Sequence, residues 1–178
     1  MSVTRVGRTF GPLTILTVAG CASLIEPPGL ADDPLLRTSG QVYELEDDGF
    51  GLGTEIPYTF TNRTGATIYI VNCNGAFGLR LDRWDGEEWV HGWSPAIPQC
   101  LSQPIVIEPN GVYASTIHVW AGYPNGDVHP KWDMRDPGGH YRIVWIDALA
   151  SYQSDTYPFG SQIPEVFRVS NTFLLAKR

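Results

Sequence analysis

The clearest indication of the fold is the segment DPGGHYRIVWID, residues 136–147. Its Pro-Gly-Gly start favours a tight turn, and Tyr141, Ile143 and Trp145 then occupy every second position. Successive side chains of an extended strand point to opposite faces, so this spacing predicts a β-strand. Eight further short runs alternate in the same way: residues 41–46, 56–62, 66–73, 77–84, 88–93, 105–108, 112–120 and 165–175.

Turn dipeptides separate several of these runs: Thr64-Gly65, Asp85-Gly86 and Asn110-Gly111. Beyond the N-terminal segment, no window of about 12 residues shows a convincing helical period of 3.6. Short strands joined by turns, without helices between them, predict an all-β fold, either a sandwich or a barrel.

The composition limits the classes of function. A chain of 178 residues with 43% hydrophobic and 17% charged residues is expected to form one domain plus a tail. The net charge is −7 and there is no run of Lys or Arg, so the sequence lacks the basic surface that nucleic-acid binding requires.

The N-terminus has the features of a signal peptide. Residues 1–20 contain Arg5 and Arg8, followed by an uncharged, largely apolar run over residues 9–20. A transmembrane helix needs about 20 apolar residues, so this run is too short to span a bilayer. We therefore expect it to direct export and to be removed.

Leu16-Thr17-Val18-Ala19-Gly20-Cys21 resembles the lipobox of bacterial lipoproteins. The resemblance implies cleavage before Cys21, a diacylglyceryl group on its thiol and an acyl chain such as palmitate on the new amino terminus. Two or three chains hold a domain stably on a bilayer. The alternative is a buried cysteine in an ordinary helix.

Residues 21–40 are predicted to be a lipid-anchored flexible linker because they are rich in Pro, Gly and acidic residues. The β domain is then expected over residues 41–178. The resemblance to lipoproteins implies a location in the bacterial cell envelope, outside the cytoplasm. Ala22 and Ser23, which are not acidic, favour the outer membrane if the source is Gram-negative.

If Cys21 carries lipid, Cys73 and Cys100 remain as a pair in a compartment that permits disulfides, and we expect them to be bonded. Two free buried thiols are the alternative.

Four segments resemble bacterial immunoglobulin-like domains: YTFTNRTG at 58–65, LRLDRWDGEEW at 79–89, DPGGHYRIVW at 136–145 and VSNTFLL at 169–175. The resemblance implies an immunoglobulin-like antiparallel sandwich of about 7–9 strands. Such domains occur in exported and lipid-anchored proteins, and the resemblance supplies no catalytic residues.

No catalytic, metal or cofactor site is predicted. His118, His129 and His140 lie among several Asp residues, but their spacing fits no known ligand motif. Gly160-Ser161-Gln162 lacks the frame of a nucleophile elbow.

The aromatic residues are the best indication of binding. Trp145 is expected in the core, whereas Trp93, Trp132 and Tyr123 are candidate binding residues, with residues 74–77 and 123–135 as candidate contact loops. Alternatively, these aromatic side chains cap the ends of the core.

Three functions remain open. The first is a lipid-anchored, non-catalytic module of the cell envelope that binds another protein or supports envelope assembly. The second is a protease inhibitor with a loop clamped by Cys73 and Cys100. The third is a carbohydrate-binding module, which would require a row of exposed Trp residues.

Overall fold

A computed structural model describes residues 33–96, 102–124, 126–154 and 159–177. This part of the chain contains fourteen β-strands and one short 3-10 helix, Glu165–Phe167. The strands are β1 Leu36–Thr38, β2 Val42–Asp47, β3 Gly51–Thr61, β4 Ile68–Ile70, β5 Asn72–Cys73, β6 Ala76–Phe77, β7 Leu79–Trp84, β8 Trp89–Ser94, β9 Ile105–Ile107, β10 Val112–Gly122, β11 Lys131–Trp132, β12 Gly139–Trp145, β13 Ala148–Leu149 and β14 Phe173–Lys177.

Nine of the described strands form one continuous hydrogen-bonded sheet, in the order β1-β3-β2-β14-β12-β7-β8-β11, with β10 paired to β3. β3 and β10 are antiparallel along their whole length, from Val112 opposite Thr61 to Gly122 opposite Gly51. The pairing of β2 with β14 is parallel, which departs from the purely antiparallel sandwich predicted. Among the described residues, smaller sheets are formed by β13-β4-β9 and by β5-β6.

The large sheet folds over on itself around an aromatic core. Trp145 of β12 is 1% exposed and its ring lies 4.7 Å from that of Phe60 and 6.1 Å from that of Tyr58, both on β3. Aromatic pairs at these separations contribute beyond the apolar area that they bury. Trp145 is therefore in the core as predicted, and the all-β, immunoglobulin-like sandwich is confirmed.

Tyr141 fixes the turn that leads into β12. Its side chain is fully buried, and its hydroxyl donates a hydrogen bond of 2.8 Å to the carbonyl of Pro137, four residues upstream. Burial raises the pKa of Tyr141 above its usual value. A buried Tyr bonded to the backbone just before its own strand is the tyrosine corner of immunoglobulin-like sandwiches.

Asn62 fixes the turn after β3. It is fully buried, and its amide donates hydrogen bonds to the carbonyls of Ala66 at 2.7 Å and Ile107 at 2.8 Å. Its side-chain oxygen accepts hydrogen bonds from the backbone and hydroxyl of Thr64. The Asn62 side chain thus provides hydrogen-bond partners for backbone groups of the turn and of β9. Buried backbone groups need such partners.

A buried charge network lies between β7 and β12. Asp82 is 2% exposed and accepts hydrogen bonds from Arg80 at 2.7 Å and Arg142 at 3.1 Å. The guanidinium of Arg142 also lies over the ring of Trp89, 4.7 Å from its centroid. These contacts compensate for the removal of the Asp82 charge from water.

The fold begins earlier than the boundary at residue 41 predicted from the sequence. Leu35 and Leu36 are buried in the core, and β1 pairs with β3 through Leu36 opposite Phe60. Asn171 also binds β1: its side-chain oxygen accepts a hydrogen bond of 2.8 Å from the backbone N–H of Thr38. The last part of the predicted linker therefore belongs to the β domain.

Three short strands, β1, β11 and β13, were not predicted, since two or three residues are too few to show a period. The run 165–175 was predicted to be one strand, and this is wrong. It contains the 3-10 helix and an irregular segment before β14, and Ser170 bonds there to the backbone of Ile143 through its hydroxyl.

The signal peptide, Cys21 and most of the linker lie outside the described residues. Among the helices in the described part of the chain, none has the length and apolar character needed to cross a membrane.

Candidate functional site

Three exposed aromatic side chains lie around the turn between β2 and β3. Phe50 is 81% exposed, Tyr123 49% and Trp120 42%. Asp47 and Asp48 connect the turn to the end of β10 through hydrogen bonds to Tyr123 and Trp120. We call Phe50, Trp120, Tyr123, Asp47 and Asp48 the aromatic corner.

The turn itself is built by Asp side chains. The carboxylate of Asp48 accepts hydrogen bonds of 2.8 Å from the backbone of Phe50 and of Gly51, and that of Asp47 accepts one from Gly49. Gly49 has φ = 84°, a conformation that side chains disfavour. The sequence Asp-Asp-Gly thus closes β2 onto β3.

The same two carboxylates bind the aromatic side chains at the end of β10, Trp120 and the following Tyr123. Tyr123 donates its hydroxyl proton to Asp47 at 2.6 Å, and the indole N–H of Trp120 donates to Asp48 at 3.0 Å. The Tyr123 hydrogen bond lowers the pKa of Asp47, and the Phe50 backbone N–H, followed by the Trp120 indole, lowers that of Asp48. Charge-assisted bonds of this kind order side chains before a partner arrives.

A groove runs beside Trp120 because of a missing side chain. In the register of the sheet, Gly53 of β3 lies opposite both Glu46 of β2 and Trp120 of β10. A methyl group on Gly53 would lie 2.8 Å from the Val119 carbonyl oxygen and 3.0 Å from the Trp120 indole. Glycine therefore lets the indole lie close to the sheet and leaves space next to it.

This groove has a volume of about 620 Å³ and is markedly acidic. We call it the acidic groove. Glu44 and Glu46 flank the buried Leu45 in β2 and Glu55 precedes the buried Ile56 in β3, so these three carboxylates point outward from the sheet. The carboxylates that line it are Glu44, Glu46, Asp48 and Glu55, and His118 lies 3.1 Å from Glu55.

A second groove, of about 670 Å³, lies on the Tyr123 side of the corner and has mixed charge. Glu46 and Asp47 line it together with Arg135 and Lys177. Lys177 is paired with Asp136 at 2.7 Å. Tyr123 lines this groove and Trp120 lines the acidic groove, so the aromatic corner lies between the two grooves.

Of the predicted binding residues, Tyr123 lies at this corner. Trp93 and Trp132 do not, because each is only 3% exposed and they face each other as partners of β8 and β11. Trp93 and Trp132 are therefore not supported as binding residues, and their burial agrees with the alternative that these side chains pack at the core. Residues 131 and 132 of the predicted loop form a strand on β8, and the Trp93 indole donates to the Trp120 carbonyl at 3.2 Å.

The other candidate loop, residues 74–77, is a hairpin turn between β5 and β6. Asn74 and Gly75 both have positive φ, 52° and 89°, as a tight hairpin turn requires. Cys100 lies outside the described residues, so its pairing with Cys73 stays a prediction.

A smaller pocket of about 350 Å³ contains His91, His129, Ser94 and Asp133. The Ser94 hydroxyl donates directly to the Asp133 carboxylate, which also pairs with Lys131 at 3.0 Å. A catalytic triad instead requires His between Ser and Asp. Within the described residues, no three His, Cys, Asp or Glu side chains come together as metal ligands.

Comparisons of the chain with protein-family models, with curated proteins and with solved structures find no match. The geometry of the site therefore carries the functional argument.

Sequence reasoning missed Trp120, Phe50 and the role of Asp47 and Asp48. The aromatic partners of Asp48 and Asp47 are 72 and 76 positions away along the chain. Gly51 and Gly53 lie in β3, where a glycine often marks a close approach, but the run predicted from the sequence began only at residue 56.

Proposed function

We propose that this protein is a lipid-anchored, non-catalytic, immunoglobulin-like module of the bacterial cell envelope that binds another protein. The observation that carries the binding proposal is the aromatic corner, where Trp120 and Tyr123 are exposed yet held in place by Asp48 and Asp47. Trp and Tyr dominate the binding energy of protein interfaces, and anchored side chains lose little entropy on binding.

The envelope location rests on the sequence alone. The lipobox-like segment ending at Cys21 and the predicted disulfide between Cys73 and Cys100 both belong to an exported protein. Because Leu35 is already buried in the domain, the linker in this proposal is about 13 residues long, residues 22–34.

A carbohydrate-binding role has less support from the surface. All six Trp residues lie in the described part of the chain: Trp120 is exposed, Trp84 and Trp89 are half-buried, and Trp93, Trp132 and Trp145 are buried. A row of exposed indoles for stacking on sugar rings is thus not formed. The loop that would serve a protease inhibitor includes residues outside the described ranges.

The anchor is tested by the intact mass of the protein from the membrane fraction. We expect a mass that begins at Cys21 and includes acyl chains, two hydrogens lighter than the reduced protein because of one disulfide. A Cys21→Ala variant should lose the acyl mass and the membrane association. An unmodified full-length mass in the soluble fraction would contradict the anchor.

The binding face is tested by site-specific photocross-linking in living cells. A photoreactive residue at Phe50 should give a discrete adduct with another protein, and the adduct should disappear in a Trp120→Ala background. The control position is Val112, which is 64% exposed at the other end of β10, about 26 Å along the strand from Trp120. Equal adducts from both positions would contradict a defined face.

A further inference from the structure

The partner's charge can be inferred from the acidic groove. This inference rests on the proposed function and adds the chemistry of the partner. We propose that the groove beside Trp120 receives Lys or Arg side chains of a protein segment, which lie between the indole and the carboxylates of Glu46 and Glu55.

Charge complementarity is the first argument. Glu44, Glu46, Asp48 and Glu55 line one groove on one sheet face, and the cationic side chains that line the neighbouring groove, Arg135 and Lys177, are not part of it. Carboxylates arranged in this way attract a cationic segment and repel an acidic one, so they set which partners can approach.

The aromatic wall is the second argument. Trp120 is 42% exposed, and its indole edge is fixed by the N–H bond to Asp48. Trp is the side chain whose ring face attracts Lys and Arg most strongly. Trp120 and the carboxylates line the same groove, so a cation that enters it lies near both the indole and the carboxylates.

The shape of the groove is the third argument. Gly53 lies between Glu46 and Trp120 in one row across three strands, and it lines the groove without a side chain that would fill it. A long, thin side chain with a charged end fits such a slot, because its methylene groups can lie on the sheet while its charge reaches the carboxylates.

The test uses a capped tetra-arginine peptide and the resonance of the Trp120 indole N–H, assigned with Trp120→Phe. We expect the peptide to shift this resonance while leaving that of the buried Trp93 indole unchanged. A capped tetraglutamine peptide of the same length should cause no shift. A double variant Glu46→Gln/Glu55→Gln should weaken binding of tetra-arginine about fivefold.

The matched control is Glu87→Gln/Glu88→Gln, which removes the same charge at the exposed turn between β7 and β8. It should change the affinity less than about twofold. The inference is overturned if tetraglutamine gives the same shift, if both double variants weaken binding equally, or if tetra-arginine leaves Trp120 unaffected.

This failure is distinguishable from failure of the proposed function. An adduct at Phe50 that depends on Trp120, combined with no response to tetra-arginine, would leave the binding module in place and refute a cationic partner. Absence of the adduct would refute the binding module itself.

Discussion

The indole N–H of Trp120 donates a hydrogen bond to the carboxylate of Asp48 across 3.0 Å, although the two residues are 72 positions apart. The bond ties the turn between β2 and β3 to the end of β10. It makes an exposed aromatic side chain part of the ordered structure, and an ordered, exposed indole is well suited to binding a partner.

Acid should loosen this corner. The hydrogen bonds described above lower the pKa of Asp47 and Asp48 below 3.8, so their contribution to stability is present above pH 3.8 and is lost as the pH falls through the lowered values. We expect the Trp120 indole N–H resonance to shift with a midpoint below pH 3.8. The Trp93 indole donates to a backbone carbonyl, so its resonance should stay constant over this pH range. A midpoint of the Trp120 resonance at or above pH 3.8 would contradict this prediction.

Leu36→Ala should destabilise the domain by about 3 kcal/mol, because it leaves a cavity where a fully buried side chain packs. Chemical denaturation measures the change in the free energy of unfolding. Arg37→Ala next to it removes an exposed side chain and should cost less than about 1 kcal/mol. Equal effects would show that β1 is not part of the cooperative fold.

Asn62→Ala should cost about 3 kcal/mol, because carbonyl groups of Ala66 and Ile107 lose their buried donor. Thr67→Ala, near the same turn, removes an exposed hydrogen bond to Glu108 and serves as the control. Its expected cost in denaturation experiments is within about 0.5 kcal/mol. A small effect of Asn62→Ala would mean that the turn is held by other contacts.

Tyr141→Phe should cost about 1 kcal/mol through loss of the bond to Pro137. The raised pKa of Tyr141 also makes the stability of the domain depend on pH. The folded state holds the phenol proton up to a higher pH than the unfolded state does, so the free energy of unfolding falls as the pH rises above 10. Tyr141→Phe should therefore make the alkaline loss of stability shallower in denaturation curves recorded at several pH values. An unchanged slope would assign that loss to other groups.

Asp82→Asn should destabilise the domain by about 3 kcal/mol, because Arg80 and the buried Arg142 lose the carboxylate that neutralises them. The control is Glu87→Gln at an exposed turn, with an expected change within about 0.5 kcal/mol. Thermal and chemical unfolding would both report the difference. If the two variants unfold alike, the network contributes little.

The strands with a clear alternation were predictable from the sequence. In β12, Tyr141, Ile143 and Trp145 are all buried, and the turns at Gly65 and Asn110 have the positive φ that their residue types favour. These features depend on neighbours along the chain, so a sequence pattern is enough to predict them.

The candidate site was predicted only in part, through Tyr123. Exposure of a Trp depends on which strand covers it, and the two-residue strand β11 buries both Trp93 and Trp132. The pairing of Asp47 with Tyr123 and of Asp48 with Trp120 depends on the register of β3 and β10. β3 and β10 are not consecutive strands, so no hairpin turn in the sequence fixes their register.

The most direct test of the binding proposal is calorimetric titration of the partner identified by cross-linking against the wild-type domain, Trp120→Ala and Val112→Ala. We predict that Trp120→Ala weakens binding about tenfold or more, while Val112→Ala stays within about twofold of the wild type. Wild-type affinity in Trp120→Ala would contradict the assignment of the aromatic corner as the binding face.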